Sequence, residues 1–388
     1  MLEWNWYSKR SVENFLLIEM DVKMTENDDP FLDVRKLIYL DVLENRWFKA
    51  VLISFTFAHI ISALKFLSQV EGQAAICNTT LQLPFIINNF LILLIRIHYC
   101  NAVYQYCYST RYCDDKLKKK IAKENRDAVF YLKMWMGILQ VCVAVATINF
   151  LTGNYKILRI DNFGVFGEKF KYLSNFITIV YILGTMWLHS IILNNFTYIV
   201  LHCKIQFLLI IEQIENLKRF KNGDISKENE GYQQAVRVTL KKAVIHHIQI
   251  KQMIKYMSHT NKTMVVFLSF EGFLIMIGSL WIVIVEGKTA FILAFTVVTI
   301  TTTTLYRFCT RGETLISSSM DFYITLCNTD WIHWNQSNAK SLLILLQATA
   351  TPIAVSFFGI ITVDCNLIKQ FYKWSHQAIS LIVKFQRT

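Results

Sequence analysis

Proline is almost missing from this chain, with three in 388 residues, and acidic residues are outnumbered, 28 to 40. So few prolines leave few places where a helix must stop. With a mean hydropathy of +0.35 and 54% hydrophobic residues, the chain is too apolar for a soluble protein of its length. Other absences narrow the function. There is no HExxH, no phosphate-binding loop and no nucleophile elbow, so no catalytic set and no enzyme is expected. The nine cysteines lack zinc-ligand spacing, and neither a metal nor a cofactor is expected. His246 and His247 are adjacent, and a helix would send them to different faces. No nucleic-acid module is visible, and no internal repeat or second soluble domain. The first residues, MLEWNWYSKRSVENF, carry charges and aromatics where the apolar core of a cleavable signal would lie, so the first span is expected to act as its own signal.

What remains is a polytopic, all-α membrane protein. Crossing a hydrocarbon core takes about 20 apolar residues, and residues 48–70, 128–151, 176–201, 265–285 and 291–309 supply such runs. A shorter run, 81–100, ends at Arg96, which can snorkel to the interface. Residues 1–46 read as a cytosolic segment, with TENDDP at 25–30 a turn before a helical stretch. Lysine and arginine crowd the loop after the second span and residues 218–262, whereas the loop at 71–80 has neither. The positive-inside rule therefore puts the N-terminus inside. Cys100, Cys107 and Cys113 fall in or beside a cytosolic loop and should stay reduced; Cys77 alone lies clearly outside. Asn78-Thr79-Thr80 is a glycosylation sequon on the outer side, while Asn261-Lys262-Thr263 lies inside. The helical pattern of residues 196–257 runs well past its span, as cytosolic extensions do.

The end of the chain mixes charge with membrane-length apolar character. Residues 342–363 read as one span broken at Pro352, and 363–384 as a second, weaker one. Within the latter, Ile368, Ser375, Ile379 and Val383 share a helical face, while Lys369, Lys373 and His376 are polar or charged. Such a helix either lines a water path or lies in the membrane surface, and the pattern alone supports both. Three more features stand in the spans. Glu271 and His189 are buried by position, readable as contact residues or as satisfied core groups. The run Thr299–Thr304 can bond back to its own helix and bend it, or meet neighbouring helices.

Three stretches resemble the insect odorant receptor family: YRFCTRGETLISSSMDFYITLCNTDWIHW at 306–334, NAKSLLILLQATATP at 338–352, and VDCNLIKQFYKWSHQAISLIVKF at 363–385. HCKIQFLLIIEQIENL and HHIQIKQMIKYM add weaker matches. The resemblance implies seven transmembrane helices, an inner N-terminus, an outer C-terminus, a split seventh helix and cytosolic anchor helices. On that plan residues 1–46 are cytosolic; 47–310 hold the first six spans with the extension 202–262; 311–351 form the anchor; and 352–388 form a linker and the last, pore-lining helix. The Tyr-Ser pair usual in that helix stands here as Ser375-His376, or one residue off as Trp374-Ser375. Lys369 and Lys373 are unusual in a cation path, and are expected to face an inter-subunit vestibule or to pair, with Asp364 a candidate partner.

The same resemblance implies function. The chain would be an odorant-tuning subunit, too short to be the shared co-receptor. It would join that co-receptor in a heterotetrameric ligand-gated cation channel of the plasma membrane, in sensory-neuron dendrites. Its partners would be the co-receptor, a small volatile ligand and membrane lipid. The gate falls on Ile379 and Val383, with Ser375 beside them. The ligand pocket falls among Phe85, Asn89, Thr147, Phe150, Tyr181, Met186, Trp187, Phe291 and Phe295, an apolar and aromatic set with a few hydroxyl and amide groups. Glycan would attach at Asn78. A gustatory receptor shares the architecture, but its Thr-Tyr…Gln-Phe ending is poorly matched by residues 380–386. A G-protein-coupled receptor would need an outer N-terminus, against the loop charges. A transporter would need paired carboxylates or a histidine set in the spans, where Glu271 stands alone.

Overall fold

The computed structural model describes residues 23–25, 28–38, 113–152, 194–217, 229–287, 291–357 and 361–387, with scattered positions in 50–60 and 103–110. Among these, helices dominate: α1 Leu32–Ile38, α2 Asp115–Thr152, α3 Asn194–Leu217, α4 Glu230–Glu286, α5 Phe291–Cys327, α6 Gln336–Thr349 and α7 Cys365–Arg387. A 3₁₀ turn, Trp331–His333, joins α5 to α6. A two-stranded antiparallel hairpin, β1 Ser356–Phe357 and β2 Ile361–Thr362, joins α6 to α7.

Three helices are much longer than a bilayer requires. At 1.5 Å per residue, the 38 residues of α2, 57 of α4 and 37 of α5 reach roughly 57, 85 and 55 Å. Each contains an apolar stretch expected to span and continues as a polar-sided helix beyond it. α4 begins where the Asn229 side chain accepts from the Tyr232 N–H at 3.0 Å, a side-chain N-cap. It ends at Gly287, whose φ of +67° is open to glycine at no steric cost. α5 crosses residues 310 and 311, the expected limit of the anchor, without a break.

α3 is the helix that, among the described residues, is long and apolar enough to cross a membrane by length and composition. Most of it is nevertheless buried inside the protein: Tyr198, Ile199, Leu201, Ile205 and Phe207 are essentially inaccessible. Its polar Asn194, His202 and Gln206 are buried with them, and α2, α4 and α5 touch the helix through Glu124, His246 and Phe308. α5 packs against α2, α4, α6 and α7, and α4 packs also against α6 and α7.

The ambiguous stretch 342–363 is divided. α6 stops at Thr349, just short of Thr351 and Pro352, because the residue preceding a proline is pushed away from helix toward extended geometry. The chain then runs extended, its Ile353 N–H bonding Ser319 Oγ of α5 at 3.0 Å, into the hairpin with register Ser356↔Thr362 and Phe357↔Ile361. Val355 and Val363, both fully buried, close the hairpin's base, the Val363 N–H donating to Val355 O at 2.9 Å.

Candidate functional site: the closing helix and its seat

α7 starts from Asp364, whose Oδ1 accepts from the N–H groups of Asn366 at 2.9 Å and Leu367 at 3.1 Å. The carboxylate thus caps the helix, and among the described residues neither Lys369 nor Lys373 lies at ion-pair distance from it. Beneath the hairpin, α5 passes so close that a Cβ on Gly312 would collide with the Val363 carbonyl and come within 2.8 Å of Val363 Cγ1. Glycine is required there by space.

Along α7, Leu367, Phe371 and Ser375 recur every fourth residue and are buried. Phe371 meets Phe273 of α4 edge to face, with centroids 6.3 Å apart, and its ring edge reaches the open side of Gly272. Tyr372 Oη donates to Thr302 Oγ1 of α5 at 2.8 Å. The opposite side carries Lys369, Lys373, His376, Ser380 and Lys384, all exposed on the chain, at spacings of three or four that make one polar stripe. α7 therefore has one side seated on α4 and α5 and one side of polar groups.

The expected gate residues distribute as follows. Ser375 is buried, and its hydroxyl donates to Phe371 O at 2.9 Å. Ile379 is half-buried, at the border between the seated side and the polar stripe. The backbone of Val383 lies in α7, while its side chain is outside the described residues. Of the expected ligand residues, Phe291 and Phe295 sit exposed in the first turns of α5 with rings stacked, centroids 6.1 Å apart. Thr147 and Phe150 lie on α2, their side chains outside the described residues; Phe85, Asn89, Tyr181, Met186, Trp187 and the sequon at Asn78 lie outside them altogether, as does His189. Glu271 lies on α4 without a described side chain. In the threonine run, Thr299, Thr301 and Thr303 donate back to the carbonyls of Phe295, Val297 and Thr299 at 2.7, 3.0 and 2.7 Å. Thr302 meets Tyr372 instead, so this run both bonds its own helix and touches a neighbour. His246 and His247 are both buried and serve different partners, Gln206 Oε1 at 2.6 Å and the Phe322 ring at 5.8 Å. Among the described residues no group of His, Cys, Asp and Glu could hold a metal.

Two arrangements escape a reading of the sequence. The Gln233 side chain is a hub between α4 and α6: its Nε2 donates to His333 O at 2.9 Å, while its Oε1 accepts from Asn335 N at 2.8 Å and Asn338 Nδ2 at 3.0 Å. Beside it Trp334 Nε1 donates to Tyr232 Oη at 3.1 Å. The second is at Asp29, in the turn before α1. Its carboxylate accepts from Tyr198 Oη at 2.5 Å and Phe31 N at 2.8 Å and lies 3.2 Å from His202 Nε2, with both acid and imidazole wholly buried. A lone glutamine in a long helix and an aspartate in a polar turn give no sequence signal of such partners.

The model of the 7tm odorant receptor family matches residues 101–373, which include α2 to α6 and the buried face of α7 up to Phe371. The chain belongs to that family. This odorant receptor is accordingly a multi-pass membrane protein, and its family is one of receptors, not enzymes. Its fold is similar to that of the insect olfactory receptor OR5 from Machilis hrabei, at 10% identity over 88% of this chain and 89% of the other, with a TM-score of 0.65. It is similar also to the same receptor solved in complex with eugenol, at 9% identity over 98% and 99%, with a TM-score of 0.67. Among curated proteins none matches significantly. At such low identity the likeness to OR5 concerns the fold: the helical, seven-span architecture expected for this odorant receptor is the one it has.

Proposed function

We propose that this odorant receptor is the odorant-binding subunit of a heteromeric ligand-gated, non-selective cation channel, assembled with the shared co-receptor in the plasma membrane of olfactory sensory-neuron dendrites. The observation that carries the reading is the two-sidedness of α7. A 23-residue helix with Leu367, Phe371 and Ser375 seated on its own subunit and a stripe from Lys369 to Lys384 exposed needs water or a polar partner on the exposed side, because hydrocarbon satisfies neither. An ion path shared between subunits supplies both. The N-terminus and anchor lie in the cytosol, the C-terminus and Asn78 outside.

In this reading the ligand is a small apolar volatile, held among the outer helix halves by Phe85, Asn89, Thr147, Phe150, Tyr181, Met186, Trp187, Phe291 and Phe295. Burial supplies its affinity at about 25 cal/mol per Å². Binding favours the open arrangement only by the ligand's greater affinity for it. The gate is the apolar ring of Ile379 and Val383, which closes by dewetting. The test is whole-cell recording with the co-receptor while G-protein signalling is blocked. Odour-evoked cation current should persist, and Ile379→Ala with Val383→Ala should raise resting current. No current under the block, or gating unchanged in the double variant, would overturn the reading.

A further inference from the structure

Arg307 and Arg311 stand one turn apart on α5, where the helix leaves its apolar stretch 291–309. Both are half-buried. The Arg307 guanidinium lies 4.4 Å over the Trp135 ring of α2 and donates to Asn194 Oδ1 of α3 at 3.4 Å. Arg311 lies within electrostatic reach of Tyr131 and Glu124 of α2. Glu124, however, is already bonded to Lys204 of α3 at 2.7 Å, and among the described residues no carboxylate reaches ion-pair distance of either arginine. The group thus holds Arg307, Arg311 and Lys204 against one acid.

A guanidinium does not escape burial by losing its proton. Trp135 and Asn194 compensate Arg307 in part, and a phosphate oxygen pair would complete it, since it fits the guanidinium fork in two parallel bonds. Arg307, Trp135 and Asn194 each lie within about two helical turns of one end of the expected spans 291–309, 128–151 and 176–201. Tyr131 is exposed and Trp135 buried, so an aromatic surface runs from the interior to the outside of α2 beside the arginines, the residue types that gather at a membrane interface.

We propose that Arg307 and Arg311, walled by Trp135 and Tyr131 and steadied by Asn194, form a binding site for the phosphate headgroup of an anionic phospholipid. Its assignment to the inner leaflet rests on the orientation given under the proposed function; the headgroup chemistry does not.

The test uses the full-length receptor in phosphatidylcholine nanodiscs containing phosphatidylserine, with co-purifying lipid counted by mass spectrometry. Removing one charge-assisted hydrogen bond, at about 1.4 kcal/mol, changes retention about tenfold. Phosphatidylserine should therefore be enriched over phosphatidylcholine in the native protein, and the enrichment should fall by about tenfold or more in Arg307→Gln with Arg311→Gln. Because the neutral pair could misfold, Arg307→Lys with Arg311→Lys is measured too: it should keep the enrichment in part, since charge remains while the fork is gone. Equal retention of the two lipids by native protein overturns the site. So does a Lys pair that binds like the native protein, which would mean unspecific attraction, or displacement of the lipid by inorganic phosphate, which would mean a soluble anion. Accessibility labelling of the termini reports orientation separately, so an error there moves the leaflet and leaves headgroup selectivity intact.

Discussion

Gly312 is a position where one added carbon has a definite consequence. The carbonyl and Cγ1 of Val363 occupy the space a side chain would need, and the carbonyl, being backbone, cannot swing away. Forcing a methyl into a packed contact typically costs about 1–3 kcal/mol. Gly312→Ala should therefore lower the thermal unfolding midpoint of purified receptor and its cell-surface level, whereas Gly137→Ala, with open space around it, should leave both unchanged. Surface biotinylation and a thermal-shift scan check the pair. This glycine lies in the stretch 306–334 that carries the family resemblance, but the reason for it was not visible there, since its collision partner, Val363, lies far along the chain. Asp29 shows the same asymmetry: the turn at 25–30 could be read from its residues, and Asp28 N does bond Thr25 O at 3.1 Å, yet nothing local announces Tyr198 and His202.

Between elements, the join of α4 to the α5–α6 connection depends on Gln233, since one side chain satisfies a carbonyl, a backbone N–H and an amide together. An unsatisfied buried polar group costs about 1–3 kcal/mol. Gln233→Leu fits the space but leaves Asn335 N and one Asn338 bond unmet, so the α6 region should exchange amide hydrogens faster while α2 is unaffected. Hydrogen-exchange mass spectrometry reads both; uniform protection would mean that α6 is held by its apolar contacts alone. The polar stripe of α7 carries a second prediction at this scale. If the stripe borders the ion path, Lys369 and Lys373 repel cations at close range, and Lys369→Gln with Lys373→Gln should increase inward current at negative voltage. An unchanged current–voltage relation would place both lysines away from the path. The helix and its face were legible from period alone, because apolar and polar residues alternate at helical spacing. Which side is seated was not: the sequence grouped Ser375 with Ile368, Ile379 and Val383, while Phe371 packs on Phe273 and Gly272 with Leu367 and Ser375 buried beside it.

Across the whole molecule, the helix bundle that holds His246, His247 and Asp29 is expected to be sensitive to acid. Burial lowers the affinity of His246 for a proton, with Lys23 and His247 adding to the effect, to a pKa of about 3; burial, then Lys251, brings His247 to about 4. Both are depressed below the ordinary value of 6.5, so the unfolded chain binds protons that the folded one refuses. Stability conferred by the neutral imidazoles is therefore complete above pH 6.5 and declines as pH falls toward 4, by about 1.4 kcal/mol per pH unit for each such group. Asp29 contributes in the same direction at lower pH: burial opposes its ionisation, but His202, Tyr198 and the Phe31 N–H outweigh burial and hold its pKa below 3.8, so its share is lost only as that lower pKa is approached. Thermal unfolding of the detergent-solubilised receptor should shift down between pH 7 and pH 5 (~1.4 kcal/mol per unit and group below 6.5), and His246→Gln should flatten the slope; a midpoint independent of pH would contradict the burial of these imidazoles. What the sequence determined by itself was the medium and the class: apolar runs of bilayer length, scarce proline and a basic bias in certain loops are local quantities, and they suffice to specify a helical, multi-pass membrane protein. What only the tertiary structure decided was which helix is interior and which contacts are obligatory. α3 is covered by protein, Gly312 admits no side chain and Gln233 joins two elements because residues far apart in the chain meet at each place, and no pattern along one segment encodes its partner's position.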